Sequence, residues 1–77
     1  MSRRDTFGAE YKAIIGCLVK HRKAAGVTQW DVAKALKTDQ SQVSKLERGE
    51  RRLDIVDYVR ICRVIGIDPG EPLRLKR

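Results

Sequence analysis

Gln40, Ser41, Gln42, Ser44, Lys45 and Arg48 place six hydrogen-bonding side chains within nine consecutive positions. Among them stand only two apolar residues, Val43 and Leu46, three apart and thus on one face of a helix. Such a helix buries too little to be stable alone. Clamped to a scaffold by that pair, it turns its polar positions outward, as expected where the outer face meets a partner. The chemistry on offer is therefore recognition. Bond-making chemistry is not expected: His21 is the single histidine, the acids are scattered, and no glycine-rich phosphate loop is present, so the chain does not read as an enzyme.

The charge balance suggests what kind of partner. Seventeen Lys and Arg against ten Asp and Glu leave a formal charge of +7 on 77 residues, which favours a polyanion such as nucleic acid. Cys17 and Cys62 lack Cys-x-x-Cys spacing, and one histidine beside them does not make the four ligands of structural zinc. No metal and no cofactor are expected; buried free thiols fit a reducing cytoplasm, with a disulfide left open by sequence alone. No apolar run approaches the ~20 residues of a membrane span, and MSRRDTFGAE lacks the apolar segment of a secretory signal. A soluble, cytoplasmic protein without membrane association is expected.

The elements that must position the polar run follow from caps and periodicity. Residues 1–8 form a basic arm carrying Arg3, Arg4 and Phe7, residues 9–68 a single domain, and residues 69–77 a basic tail with Leu73 and Leu75. The first helix runs from Ala9 to Ala25 with Tyr11, Ile14, Ile15, Leu18 and Ala25 inward; Gly26 stops it and Val27 packs back. Thr28, with Asp31 three places on, opens a second helix whose inward face is Val32, Ala33 and Leu36. Asp39, with Gln42 in the matching place, opens the third, and Gly49 ends it. After the charged loop 50–53, Asp54 caps a fourth helix, Ile55 to Ile65. Its strongest face is Ile55, Tyr58, Val59, Cys62 and Ile65, widened by Ile61 and Val64. Gly66 closes it, before an Asp68-Pro69-Gly70 turn. The fold class is all-α, a compact bundle of four helices.

Arg22, Gly26-Val27-Thr28-Gln29, Val32-Ala33, Gln40-Ser41-Gln42-Val43-Ser44, Leu46-Glu47-Arg48-Gly49 and Ile65-Gly66-Ile67 together resemble the phage repressor and Cro type, or XRE-like, helix-turn-helix protein. The resemblance spans about residues 17–68. It implies a lambda-repressor-like bundle whose third helix enters the major groove while the second lies across it, bound as a homodimer to a palindromic operator on double-stranded DNA. The implied function is a sequence-specific transcriptional regulator, a repressor, associated with the nucleoid. An antitoxin that binds a toxin protein and controls its own operon through the same fold is the alternative, and non-specific nucleic-acid binding a third.

The implied roles fall on particular residues. Gln40, Ser41, Gln42 and Lys45 read bases, with Ser44 a weaker candidate; an amide can pair with adenine through two hydrogen bonds. Gln29 clamps a phosphate and buttresses the first residue of the recognition helix. Arg48, Arg51 and Arg52 meet phosphates, as Thr28 does beside its capping role. Arg22 and Glu47 form a buried structural ion pair. Three departures from the family pattern stand out. Lys37 occupies the turn where Gly is common, in an expected left-handed conformation. Trp30 takes a usually polar place, to stack on a sugar, pack against the arm or mark an interface. Pro69, Gly70 and Pro72 argue against the family's frequent fifth helix, which leaves dimerisation to the end of the fourth helix and the tail.

Overall fold

A computed structural model describes residues 8–74, so Arg3, Arg4 and Phe7 of the arm and Leu75 of the tail lie outside the described residues. Four helices follow one another without a strand among those residues: α1 Gly8–Ala24, α2 Gln29–Leu36, α3 Gln40–Glu47 and α4 Ile55–Ile65.

Local chemistry sets each boundary. Gly26 takes a φ of 73°, a region a Cβ disfavours, and this lets the Val27 N–H reach back to the Arg22 carbonyl at 3.1 Å and close α1. Thr28 and Asp31 then exchange bonds at the head of α2: the Asp31 N–H donates to Thr28 Oγ1 at 3.1 Å and the Thr28 N–H to Asp31 Oδ2 at 2.9 Å. Lys37 ends α2 in the left-handed region, φ 57° and ψ 46°, which turns the chain so that Asp39 can accept the Gln42 N–H at 3.1 Å and start α3. Asp54 caps α4 by accepting the Val56 N–H at 2.7 Å.

The core is one cluster: Ile15 and Leu18 of α1, Val32, Ala33 and Leu36 of α2, Val43 and Leu46 of α3, and Tyr58, Ile61, Cys62 and Ile65 of α4. Helix α2 packs on both α3 and α4, and α1 closes the other side against the same two. Between α3 and α4 the loop is tied to α1: the Leu53 N–H donates to the Tyr11 hydroxyl oxygen at 2.7 Å, and the Arg52 guanidinium lies over the Tyr11 ring. This fixes the backbone that carries Arg51 and Arg52.

Several packing expectations need correction. Ile55 is 75% exposed, because the first turn of α4 lies at the edge of the bundle and Leu53, from the loop before it, packs on the core. Ala25 is exposed, because α1 has already ended. Cys17 is only half-buried, whereas Cys62 is fully buried; both are free thiols, and burial pushes the Cys62 thiol up. At the end of α4, Ile65 is buried and Ile67 packs against the core. Beyond it the described tail runs through turns, with Pro72 buried and the Tyr58 hydroxyl donating to the Pro69 carbonyl. Burial, and then the neighbouring Cys62, push the Tyr58 hydroxyl up to about 12. No helix of the described residues is long and apolar enough to cross a membrane.

Candidate nucleic-acid interface

Successive residues of α3 are rotated by about 100°. With Val43 and Leu46 inward, Ser41 and Arg48 point most directly away from the core, Ser44 and Lys45 flank them, and Gln40 lies on the edge toward α2. Gln42 falls on the opposite edge, about 200° from Gln40, and is half-buried. The six residues thus do not share one face: Gln40, Ser41, Ser44, Lys45 and Arg48 form a continuous outer stripe, and Gln42 stands beside it.

A chain of hydrogen bonds holds Gln40. Its Nε2 donates to Gln29 Oε1 at 2.6 Å, and Gln29 Nε2 donates to Glu47 Oε1 at 2.9 Å. Glu47 also accepts from Arg22, Nε to Oε2 at 2.6 Å and Nη2 to Oε1 at 3.1 Å, while Arg22 Nη1 donates to the Val27 carbonyl at 2.8 Å. A carboxylate can only accept, which fixes the orientation of both amides: Gln29 must give its NH2 to Glu47 and its oxygen to Gln40. Gln40 is left with its own oxygen and one N–H, the donor and acceptor pair that matches the edge of adenine. The Arg22 guanidinium is desolvated by α1 and α3, and these bonds replace the water it has lost. Among the described residues no buried side-chain polar atom lacks a partner.

The remaining side chains of the stripe are also engaged. The Ser41 hydroxyl donates to Asp39 Oδ1 at 2.7 Å, and Arg48 Nη1 donates to the Ser44 hydroxyl. Lys45 is exposed one turn after Ser41. Asp39 is held below the usual carboxylate range first by the Ser41 hydroxyl and then by the Gln42 N–H.

Of the phosphate-contact candidates, Gln29 belongs to the chain that holds Gln40. Thr28 is occupied as the cap of α2, whose bonds keep Asp31 below the usual carboxylate range. Arg51 and Arg52 are exposed on the loop tied to Tyr11. Arg48 has a partner the sequence reading missed: its Nε lies 3.0 Å from Glu50 Oε2 and its Nη2 donates to Glu50 Oε1 at 3.1 Å. That contact lowers the Glu50 carboxyl and raises the Arg48 guanidinium. The two stand on either side of Gly49, off helical spacing, so only their proximity in sequence hinted at it.

Residues 16–75 match a family described as a helix-turn-helix domain. The chain is also similar in structure to an XRE-family like protein from Pseudomonas syringae pv. tomato str. DC3000, with a TM-score of 0.78 and 43% sequence identity over 91% of this chain and 85% of that one. The chain belongs to the XRE-type helix-turn-helix family. No curated protein matches it. The XRE-type family is one of DNA-binding regulators, so α2 and α3 are its helix-turn-helix pair.

Proposed function

We propose that this XRE-type protein is a sequence-specific transcriptional repressor that binds a palindromic operator as a homodimer, in the cytoplasm at the nucleoid. The observation that carries this reading is the chain from Arg22 through Glu47 and Gln29 to Gln40. A protein bound to DNA by charge alone has no use for a first recognition residue fixed through three other side chains. Fixing it lowers the conformational entropy lost on binding and selects which donor and acceptor face the groove. In this reading Gln40, Ser41 and Lys45 read base edges, Ser44 lets the duplex approach, and Gln42 contributes at the edge of the contact. Phosphates are met by Gln29, Arg51 and Arg52, by Arg48 once it leaves Glu50, and by Thr28.

Selection of bound sites from a random pool of duplex DNA tests the proposal. Recovery of a two-fold sequence, its half-sites centred about one helical turn apart, is the expected result. Recovery of a pool without a shared sequence, bound with the same affinity as the starting pool, would reduce the function to electrostatic binding. A single half-site without symmetry would remove the dimer.

A further inference from the structure

We propose that Trp30 is a contact to the DNA backbone, its indole face packed against a deoxyribose of the strand beside the half-site that Gln40 and Ser41 read. The inference rests on the DNA-binding reading above and assigns a residue that reading leaves without a role. Trp30 is the only tryptophan in the chain and is 66% exposed, at the second position of α2. Its ring presents a large, rigid apolar face that a partner can remove from water.

The position indicates the partner. Trp30 lines an open notch together with Lys34, Thr38, Asp39, Gln40 and Ser41, so its wall is continuous with the first two residues of the recognition helix. A duplex seated on Gln40 and Ser41 passes through this notch.

Charge indicates which part of the duplex meets the ring. Asp39 lines the notch, its carboxylate accepting from the Ser41 hydroxyl and the Gln42 N–H. Fixed negative charges disfavour a phosphate close to them. A deoxyribose ring is uncharged and presents C–H groups, which an indole face covers without a charge penalty. Lys34, one helical turn after Trp30 on the same side of α2, is placed for the neighbouring phosphate. Bases at this point are taken by Gln40 and Ser41. Trp30 therefore adds affinity that depends little on sequence or salt, because no counterion is released by a neutral side chain.

Because Trp30 is the single tryptophan, its emission reports on this site alone. The experiment titrates the full chain and its Trp30→Ala and Trp30→Phe variants with the selected duplex and with a mixed-sequence duplex, following tryptophan emission in the wild type and gel mobility in all three. The expected results are a change in wild-type emission on binding, and a loss of about tenfold in affinity for Trp30→Ala on both duplexes, with the salt slope unchanged and most of the loss restored by Phe. Unchanged melting temperatures are expected for both variants, since the ring is exposed. Wild-type mobility shifts with unaltered emission and full affinity in Trp30→Ala would overturn the inference and leave the DNA-binding reading standing. A loss confined to the selected duplex would replace the sugar contact by a base contact and also overturn it. Failure of the wild type to bind either duplex would end both.

Discussion

Arg22 and Glu47, 25 residues apart in the chain, meet in a two-pronged contact in which Nε lies 2.6 Å from Oε2 and Nη2 3.1 Å from Oε1. Arg22 is 8% exposed as a residue, so the pair joins the scaffold helix α1 to the recognition helix α3 away from water. Removing one partner of such a pair leaves an uncompensated charge, whereas removing both can be nearly neutral. We predict that Glu47→Ala lowers stability by about 3 kcal/mol or more, and that Arg22→Met combined with Glu47→Ala is less harmful than Glu47→Ala alone. Urea unfolding checks both. A Glu47→Ala protein as stable as wild type would show that the contact adds nothing.

Lys37 holds φ 57° at the end of α2, a conformation that costs a residue with a side chain about 1 kcal/mol relative to glycine, and its side chain is exposed. Lys37→Gly should therefore raise stability by something under that amount, since glycine also gains freedom in the unfolded chain. For a domain of this size the melting temperature should rise by a few degrees. A fall in melting temperature would mean that Lys37 makes a stabilising contact worth more than the strain.

The capping carboxylates predict an acid dependence. Asp39 is held below its ordinary value of 3.8 in the fold, so its contribution is present above the unfolded value and lost as pH falls through the folded one. Asn at this position still caps the helix but does not titrate. The stability advantage of wild type over Asp39→Asn should be constant near neutrality, begin to shrink as pH approaches the ordinary value of 3.8 and be lost as pH falls through the lower folded value. Urea unfolding of the two proteins across that range measures it, and a difference independent of pH would show that the charge of Asp39 is not what stabilises α3.

Much of this architecture was legible because the signals were local. Thr28 with Asp31, Asp39, Asp54, Gly26 and Gly66 declare helix ends through chemistry that acts within four residues. The faces of α2 and α3 were legible through period alone. Ile55 was not, since periodicity gives the side of a helix and not where the bundle ends along it. The opposed edges of Gln40 and Gln42 follow from where Val43 and Leu46 point, whereas the sequence reading placed both amides on the outward face. The Gln29 buttress and the Arg22–Glu47 pair came from family resemblance, because neither spacing nor composition brings together residues 18 and 25 apart. The Arg48–Glu50 contact was missed altogether.

That contact carries its own prediction. Glu50 occupies the guanidinium that the proposed function assigns to a phosphate, and both side chains are exposed. In the proposed function Arg48 must exchange that carboxylate for a phosphate, which reduces the gain from the new contact. Glu50→Gln should tighten binding on every duplex and steepen the salt dependence by up to about 0.9 in the logarithmic slope. Identical slopes and affinities for the two proteins would place Arg48 outside the DNA contact.

In the proposed function Gln40, held by Gln29 and Glu47, reads a base. The most direct measurement is the ratio of affinities for the selected duplex and a mixed-sequence duplex, in wild type, Gln40→Ala and Arg51→Ala at one salt concentration. Gln40→Ala should reduce that ratio by about 1 to 3 kcal/mol, roughly five- to more than a hundredfold, while Arg51→Ala weakens both duplexes alike and leaves the ratio unchanged. A Gln40→Ala protein that keeps the wild-type ratio would contradict the account, whatever its affinity.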